Sequence, residues 1–195
     1  MSSAVPFAST GNMLRRFRRS RRASAAVEFA LVAPIFFALL FAIIETAIIF
    51  FASQVLETIT QDSARVIATG QSQSGQIAVC ADPVLGAQPC TQATFHTYVC
   101  NQIPTLFSCS GMYVDVESCP SASGFSCVAF NSQIASNGTF INNMQYNPGG
   151  PGYIVVVKLF YQWPLFVTGL GYNIANLSGR QRLLTATAVF KNEPY

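Results

Sequence analysis

Six cysteines are the residues in this chain whose type and spacing most plainly imply chemistry. Cys80, Cys90, Cys100, Cys109, Cys119 and Cys127 follow one another at intervals of 10, 10, 9, 10 and 8 residues. No CxxC pair occurs, so a structural zinc site has poor support. An even count suits disulfides in an oxidising compartment. Six cysteines allow about fifteen pairings, with free thiols as a further alternative. The sequential set, Cys80–Cys90, Cys100–Cys109 and Cys119–Cys127, is the expectation, each closing a short loop worth roughly 2–3 kcal/mol. Cys100–Cys109 is the best placed of the three, because it would tie the end of a short helix to the start of the first strand.

Other chemistry is sparse. His96 is the sole histidine; it falls on the polar side of a short helical stretch, reads as a surface residue, and no serine or cysteine nucleophile motif accompanies it. NPGGPG (147–152) lacks the Lys-Ser/Thr of a phosphate loop. Asp115 and Glu117 share one face of a strand about 7 Å apart, which reads as a solvated face before a catalytic pair. Phe160, Tyr161, Trp163, Leu165 and Phe166 cluster around Pro164, as core packing or as a docking face for a partner. The expectation is therefore a non-enzyme with no catalytic, cofactor-binding or metal residues and no small-molecule substrate.

The elements that must carry these residues are unusual for a soluble domain. Of 195 residues, 51% are hydrophobic and 10% charged, against about 25% charged in an ordinary domain. The net charge of +3 hides a division. Residues 1–22 hold six arginines (Arg15, Arg16, Arg18, Arg19, Arg21 and Arg22) and no acid, whereas the remainder sums to −3. Nucleic-acid binders spread basic charge over a folded face; a terminal run before an apolar stretch is a topology signal, so no nucleic acid is expected.

That stretch runs from Phe29 to Ala52, 24 residues interrupted by Glu45 and Thr46, and about 20 apolar residues span a bilayer. The positive-inside rule puts the arginines in the cytoplasm and the C-terminal bulk across the membrane. Glu45 reads as an interfacial charge facing water or a neighbouring helix, with a partner-binding role as the alternative. Val55, Leu56, Ile59, Val66 and Ile67 continue an apolar stripe, with Glu57, Asp62 and Arg65 off it, and Asp62 and Arg65 spaced to pair. Gly70 is the expected stop. A helix over 24–69 would be about 69 Å long, kinked or missing a bond at Pro34.

Beyond it, the periodicity predicts a short helix over 93–103 and strands over 112–118, 153–162 and 183–191. The chain is thus expected to be α+β: a long N-terminal transmembrane and stalk helix, then a small disulfide-stapled antiparallel-sheet domain. The divisions are 1–23, a cytoplasmic Arg-rich leader; 24–70, the helix; and 71–195, an extracytoplasmic domain.

The junction RRSRRA-SAAVEFALVAP resembles a type IV prepilin leader. AVEFALVAPIFFALLFAIIE with FFASQVLETITQDSAR, together with QYNPGGPGYIVVVKLFYQWPLFVTGLG and the terminal RLLTATAVFKNEPY, resembles the TadE-like minor pseudopilins of tight-adherence (Tad/Flp) pilus systems. That resemblance implies cleavage between Ala23 and Ser24 by a prepilin peptidase, although such leaders usually end in glycine. It makes Glu28 the fifth mature residue, pairing with a neighbouring subunit's new amino group, and Phe29 the sixth. It implies a bacterial inner-membrane protein, single-pass, with its N-terminus cytoplasmic and its head periplasmic. Its partners would be the membrane, the peptidase and other pilus-assembly proteins and pseudopilins, and its role the assembly or anchoring of an adhesive pilus. The alternative is an unprocessed, signal-anchored envelope protein whose periplasmic domain binds a partner.

Overall fold

The computed structural model describes residues 21–103, 106–123, 126–128, 131–167 and 172–195, with side chains from Ala25 onward. Helix α1 runs over Arg21–Ala68, α2 over Gln92–Gln102, and three strands follow: β1 (Met112–Cys119), β2 (Ile154–Pro164) and β3 (Gln181–Lys191). They form one antiparallel sheet in the order β1-β2-β3. The architecture is α+β: a long apolar helix followed by a small sheet with three cysteine pairs at disulfide distance. The chain divides into two compact units, 1–44 and 45–195.

In the first unit α1 is apolar on every side. Phe29, Leu31, Ile35, Phe36, Leu39 and Ile43 are all exposed, as in a helix that meets hydrocarbon all round. Pro34 lies within the helix without ending it, and the ring removes the amide that would have bonded the carbonyl four residues earlier.

From Glu45 the same helix becomes one-sided. Ile49, Ala52, Leu56, Ile59, Ala64 and Ile67 are buried at intervals of three to five residues, the stripe of a helix that covers a core. Val55 and Val66 pack at its margin, while Glu57, Asp62 and Arg65 are exposed as their positions predict. Asp62 and Arg65 form no ion pair; among the described residues the ion pairs are those of Lys158. Full hydration of two surface charges leaves little gain from pairing them. The stripe also contains Thr60 and Ser63, both fully buried, which no apolar period reveals. Thr60 returns its hydroxyl to the Leu56 carbonyl at 2.7 Å, the usual way a helix interior accepts a threonine.

Gly70, at φ 76°, ends α1. Its amide donates to the Ile67 carbonyl and that of Gln71 to Val66, which is the paired closure of a Schellman motif. A β-carbon there would lie 2.3 Å from the Tyr195 ring, so the C-terminus also demands this glycine. The Glu193 amide donates to the Ala68 carbonyl, and the Asn192 side chain to the carbonyls of Pro148 and Gly150. The terminal segment thereby fastens the helix end to the NPGGPG turn.

Both helices cover one face of the sheet. Met112, Val114, Val116, Val155, Val157, Leu159, Leu184, Ala186 and Ala188 are buried against α1 residues and against Phe95 and Val99 of α2. Helix α2 starts at a Thr91–Thr94 capping box, which satisfies two of the amides a helix start leaves open. The disulfides are Cys80–Cys90, Cys100–Cys109 and Cys119–Cys127. Cys100–Cys109 links α2 to the short turn before β1, and Cys119–Cys127 anchors the end of β1.

Candidate functional site

The segment 23–45 carries the residues with a functional reading. Ala23 and Ser24 lie within α1, which starts at Arg21 rather than near Ser24. The leader before Arg21, with Arg15, Arg16, Arg18 and Arg19, lies outside the described residues. Glu28 and Phe29 are adjacent and exposed. Glu28 makes no ion pair among the described residues. An exposed carboxylate on an otherwise apolar helix surface is expensive in hydrocarbon unless something charged or polar comes to it.

Glu45 is placed differently from its expected role as an interfacial charge. It is buried, with 6% exposed, and its carboxylate accepts the backbone amides of Phe166 and Val167, the latter at 3.2 and 3.1 Å to its two oxygens. Thr46 beside it meets the hydroxyl of Tyr172. The chain leaving β2 has two amides with no strand to bond, and the carboxylate supplies the acceptors, in the strong charge-assisted form. The aromatic cluster around Pro164 divides here. Phe160, Tyr161, Trp163 and Leu165 are core, whereas Phe166 is 82% exposed, and Phe50 and Phe51 of α1 are exposed at 68% and 62%.

The face of the sheet opposite the helices corrects the reading of Asp115 and Glu117 as a solvated pair. Both are buried, and Lys158 of β2 reaches them at 3.2 and 2.8 Å. Residues 131–147 cover this face. Phe140 packs tilted against Tyr113 and Phe160, and the Gln145 amide donates to Asp115 at 2.9 Å. Burial pushes the Asp115 carboxyl up, against the opposing pull of the Gln145 amide and the Lys158 ammonium. Alternation in β1 signals two faces but not that a loop 15–30 residues downstream would cover the polar one; the only sequence clue was a lone lysine inside the apolar IVVVKLF run. Three charges sharing hydrogen bonds make a structural cluster, and removing one of them would strand the others.

His96 is half-buried, and its Nε2 lies 3.0 Å from the Met112 carbonyl, so it fastens α2 to β1 instead of standing free at the surface. With Cys100 and Cys109 it forms the one His/Cys/acid group of ligand-like spacing among the described residues. Both sulfurs are committed to the disulfide, and a disulfide sulfur offers no thiolate to a metal.

Ala23, Ser24, Glu28, the all-round apolar stretch and the buried Glu45 thus follow one another along α1. The family model for TadE-like proteins matches residues 23–65. The TadE-like segment begins at the expected cleavage position and ends inside the stripe that covers the core. That family is a structural pilus component. A comparison with curated proteins and with solved structures finds no match. Helix α1 is long and apolar enough over Ala25–Ala68 to cross a membrane once.

Proposed function

We propose that this chain is a minor pseudopilin, a non-catalytic, membrane-anchored part needed to assemble or anchor an adhesive Tad/Flp pilus. The observation that carries this reading is the TadE-like match over residues 23–65, joined in one chain to a disulfide-stapled sheet domain. A prepilin peptidase removes the leader between Ala23 and Ser24. Glu28 then pairs with the new amino group of a neighbouring subunit, in hydrocarbon where each charge lowers the cost of the other. The six leader arginines hold the N-terminus in the cytoplasm, and the disulfides suit a periplasmic head.

Burial of Glu45, Ile49 and Ala52 in the head supports a span shifted from the expected Phe29–Ala52 to Ala25–Ile44. That is 20 residues, or about 30 Å, the thickness of a bilayer core. The exposed Phe50 and Phe51 then follow just beyond it.

Intact mass of the membrane-extracted, C-terminally tagged protein tests the reading in cells with and without their prepilin peptidase. A chain beginning at Ser24 only when the peptidase is present is the expected result. A chain that keeps its arginine leader in both strains overturns it in favour of a simple signal anchor.

A further inference from the structure

The two edges of the sheet are treated very differently. On β1, outward groups at both Met112 and Val116 have partners. The Val116 amide donates to the Gln145 carbonyl, the Val116 carbonyl accepts from Asn147, and His96 meets the Met112 carbonyl. On β3 the orientation of the backbone follows from its ends. Arg180 and Asn192 bond across to Leu165 and Tyr153, so even positions face β2 and odd positions face away. Leu183 confirms this, because its amide reaches outward to the Asn176 side chain. Beyond Leu183, the outward amides and carbonyls of Thr185, Thr187 and Val189 have no partner among the described residues.

Among the described residues nothing guards that edge. Leu183–Phe190 contains no charge, proline or glycine, and the register of β3 with β2 is continuous, without a bulge. Natural proteins protect exposed edges with those devices because a bare edge templates another strand. Alongside lies a groove of about 310 Å³ lined by Asn131, Gln133, Ile134, Leu183, Thr185 and Thr187. Gln133 is 8% exposed, yet its Oε1 has no hydrogen-bond partner, an acceptor held ready beside the edge. Basic residues mark both ends of the strand: Arg180 and Arg182 at one, Lys191 at the other.

We propose that the β3 edge takes an extended segment of a partner protein as a fourth strand, an uncharged β-forming stretch with acidic residues at its ends. Its backbone bonds Thr185, Thr187 and Val189, and alternate side chains enter the groove, where a donor satisfies Gln133. A second copy of this chain fits poorly. Antiparallel self-pairing about Thr187 sets Lys191 opposite Leu183, and each end of that seam gathers Arg180 and Arg182 of one copy and Lys191 of the other against Glu193, an excess of positive charge that opposes association. This inference concerns the head alone and stands or falls apart from leader processing.

The test uses the full chain, purified in detergent with its disulfides intact. The probe is a fluorescent synthetic peptide of alternating threonine and valine with two glutamates at each end, and its control carries lysines in their place. Saturable binding is expected, about ten-fold tighter for the glutamate peptide at low salt, with new exchange protection at the amides of Thr185, Thr187 and Val189. Thr187→Pro removes an outward amide without touching the β2 ladder, and Val189→Lys places a charge on an exposed side chain; each should weaken binding by about ten-fold or more. Where the proline variant melts early, Val189→Lys carries the test. Absence of saturation at millimolar peptide overturns the proposal, as does equal binding by wild type and Val189→Lys. Self-association that Val189→Lys abolishes would also overturn it, by assigning the edge to a second copy.

Discussion

Along α1, Phe29, Leu31, Ile35 and Leu39 are between 62% and 71% exposed, whereas Leu56 and Ile67 are wholly buried. The residue types are alike and the helix is continuous, so composition does not distinguish the two stretches. Pattern does. Residues 25–44 are apolar on every side with Glu28 as the one charge, while after Glu45 polar residues return on one side and an apolar stripe remains on the other. The first stretch suits a solvent that is itself apolar, and the second suits a protein core bordered by water. Glu45 stands at the change, and the head claims it through two amides.

The sharpest way to break this comparison is to make the same substitution in each stretch. Leu56→Ala should cost the head about 2–5 kcal/mol, the usual range for a buried leucine. Leu39→Ala should leave the head's denaturation midpoint unchanged. Urea titration of the detergent-solubilised chain, read by the fluorescence of Trp163, measures both, and equal effects would erase the distinction. Glu45→Ala comes next, since it strips two amides of their acceptor and should cost about 1–3 kcal/mol. Glu45→Gln, which keeps an acceptor, should recover part of that in the same titration. Were Glu45 merely an interfacial charge, both variants would match wild type.

Gly70→Ala sharpens the lower boundary of the packed stretch. It forces a positive φ on alanine and a clash with the Tyr195 ring, and should cost about 1–3 kcal/mol. Removing Tyr195 together with Gly70→Ala should return the share due to the clash, a cycle that thermal melts can resolve. The smallest effect concerns pH. Asp115 is raised from 3.8 in the folded head, so the folded state holds its proton to higher pH than the unfolded chain. Its contribution is full below the unfolded value and is lost as pH rises through the folded one. A shallow decline in melting temperature as pH climbs above about 4 is expected, and Asp115→Asn should flatten it.

Much of this architecture was legible from residue order. The stop at Gly70, the exposed Glu57, Asp62 and Arg65, helix α2 and all three strands follow from period and punctuation, because each is decided within a few turns of chain. Illegible were Thr60 and Ser63 inside the stripe, Glu45 beneath the loop after β2, His96 on the Met112 carbonyl, and Lys158 between two acids. Glu45, His96 and Lys158 find their partners in segments distant in sequence, and Thr60 and Ser63 are covered by the core their helix packs on; no local pattern records either.

By itself, then, the order of residues determined that this protein has an apolar helix able to cross a membrane, a TadE-like N-terminal segment, and a cysteine-bearing α+β head. Only the tertiary structure decided where the helix passes to the head, which polar groups are covered, and which edge of the sheet is left open. Apolar periodicity is a property of neighbours along the chain, whereas the fate of a charge or an unpaired amide depends on what folds against it.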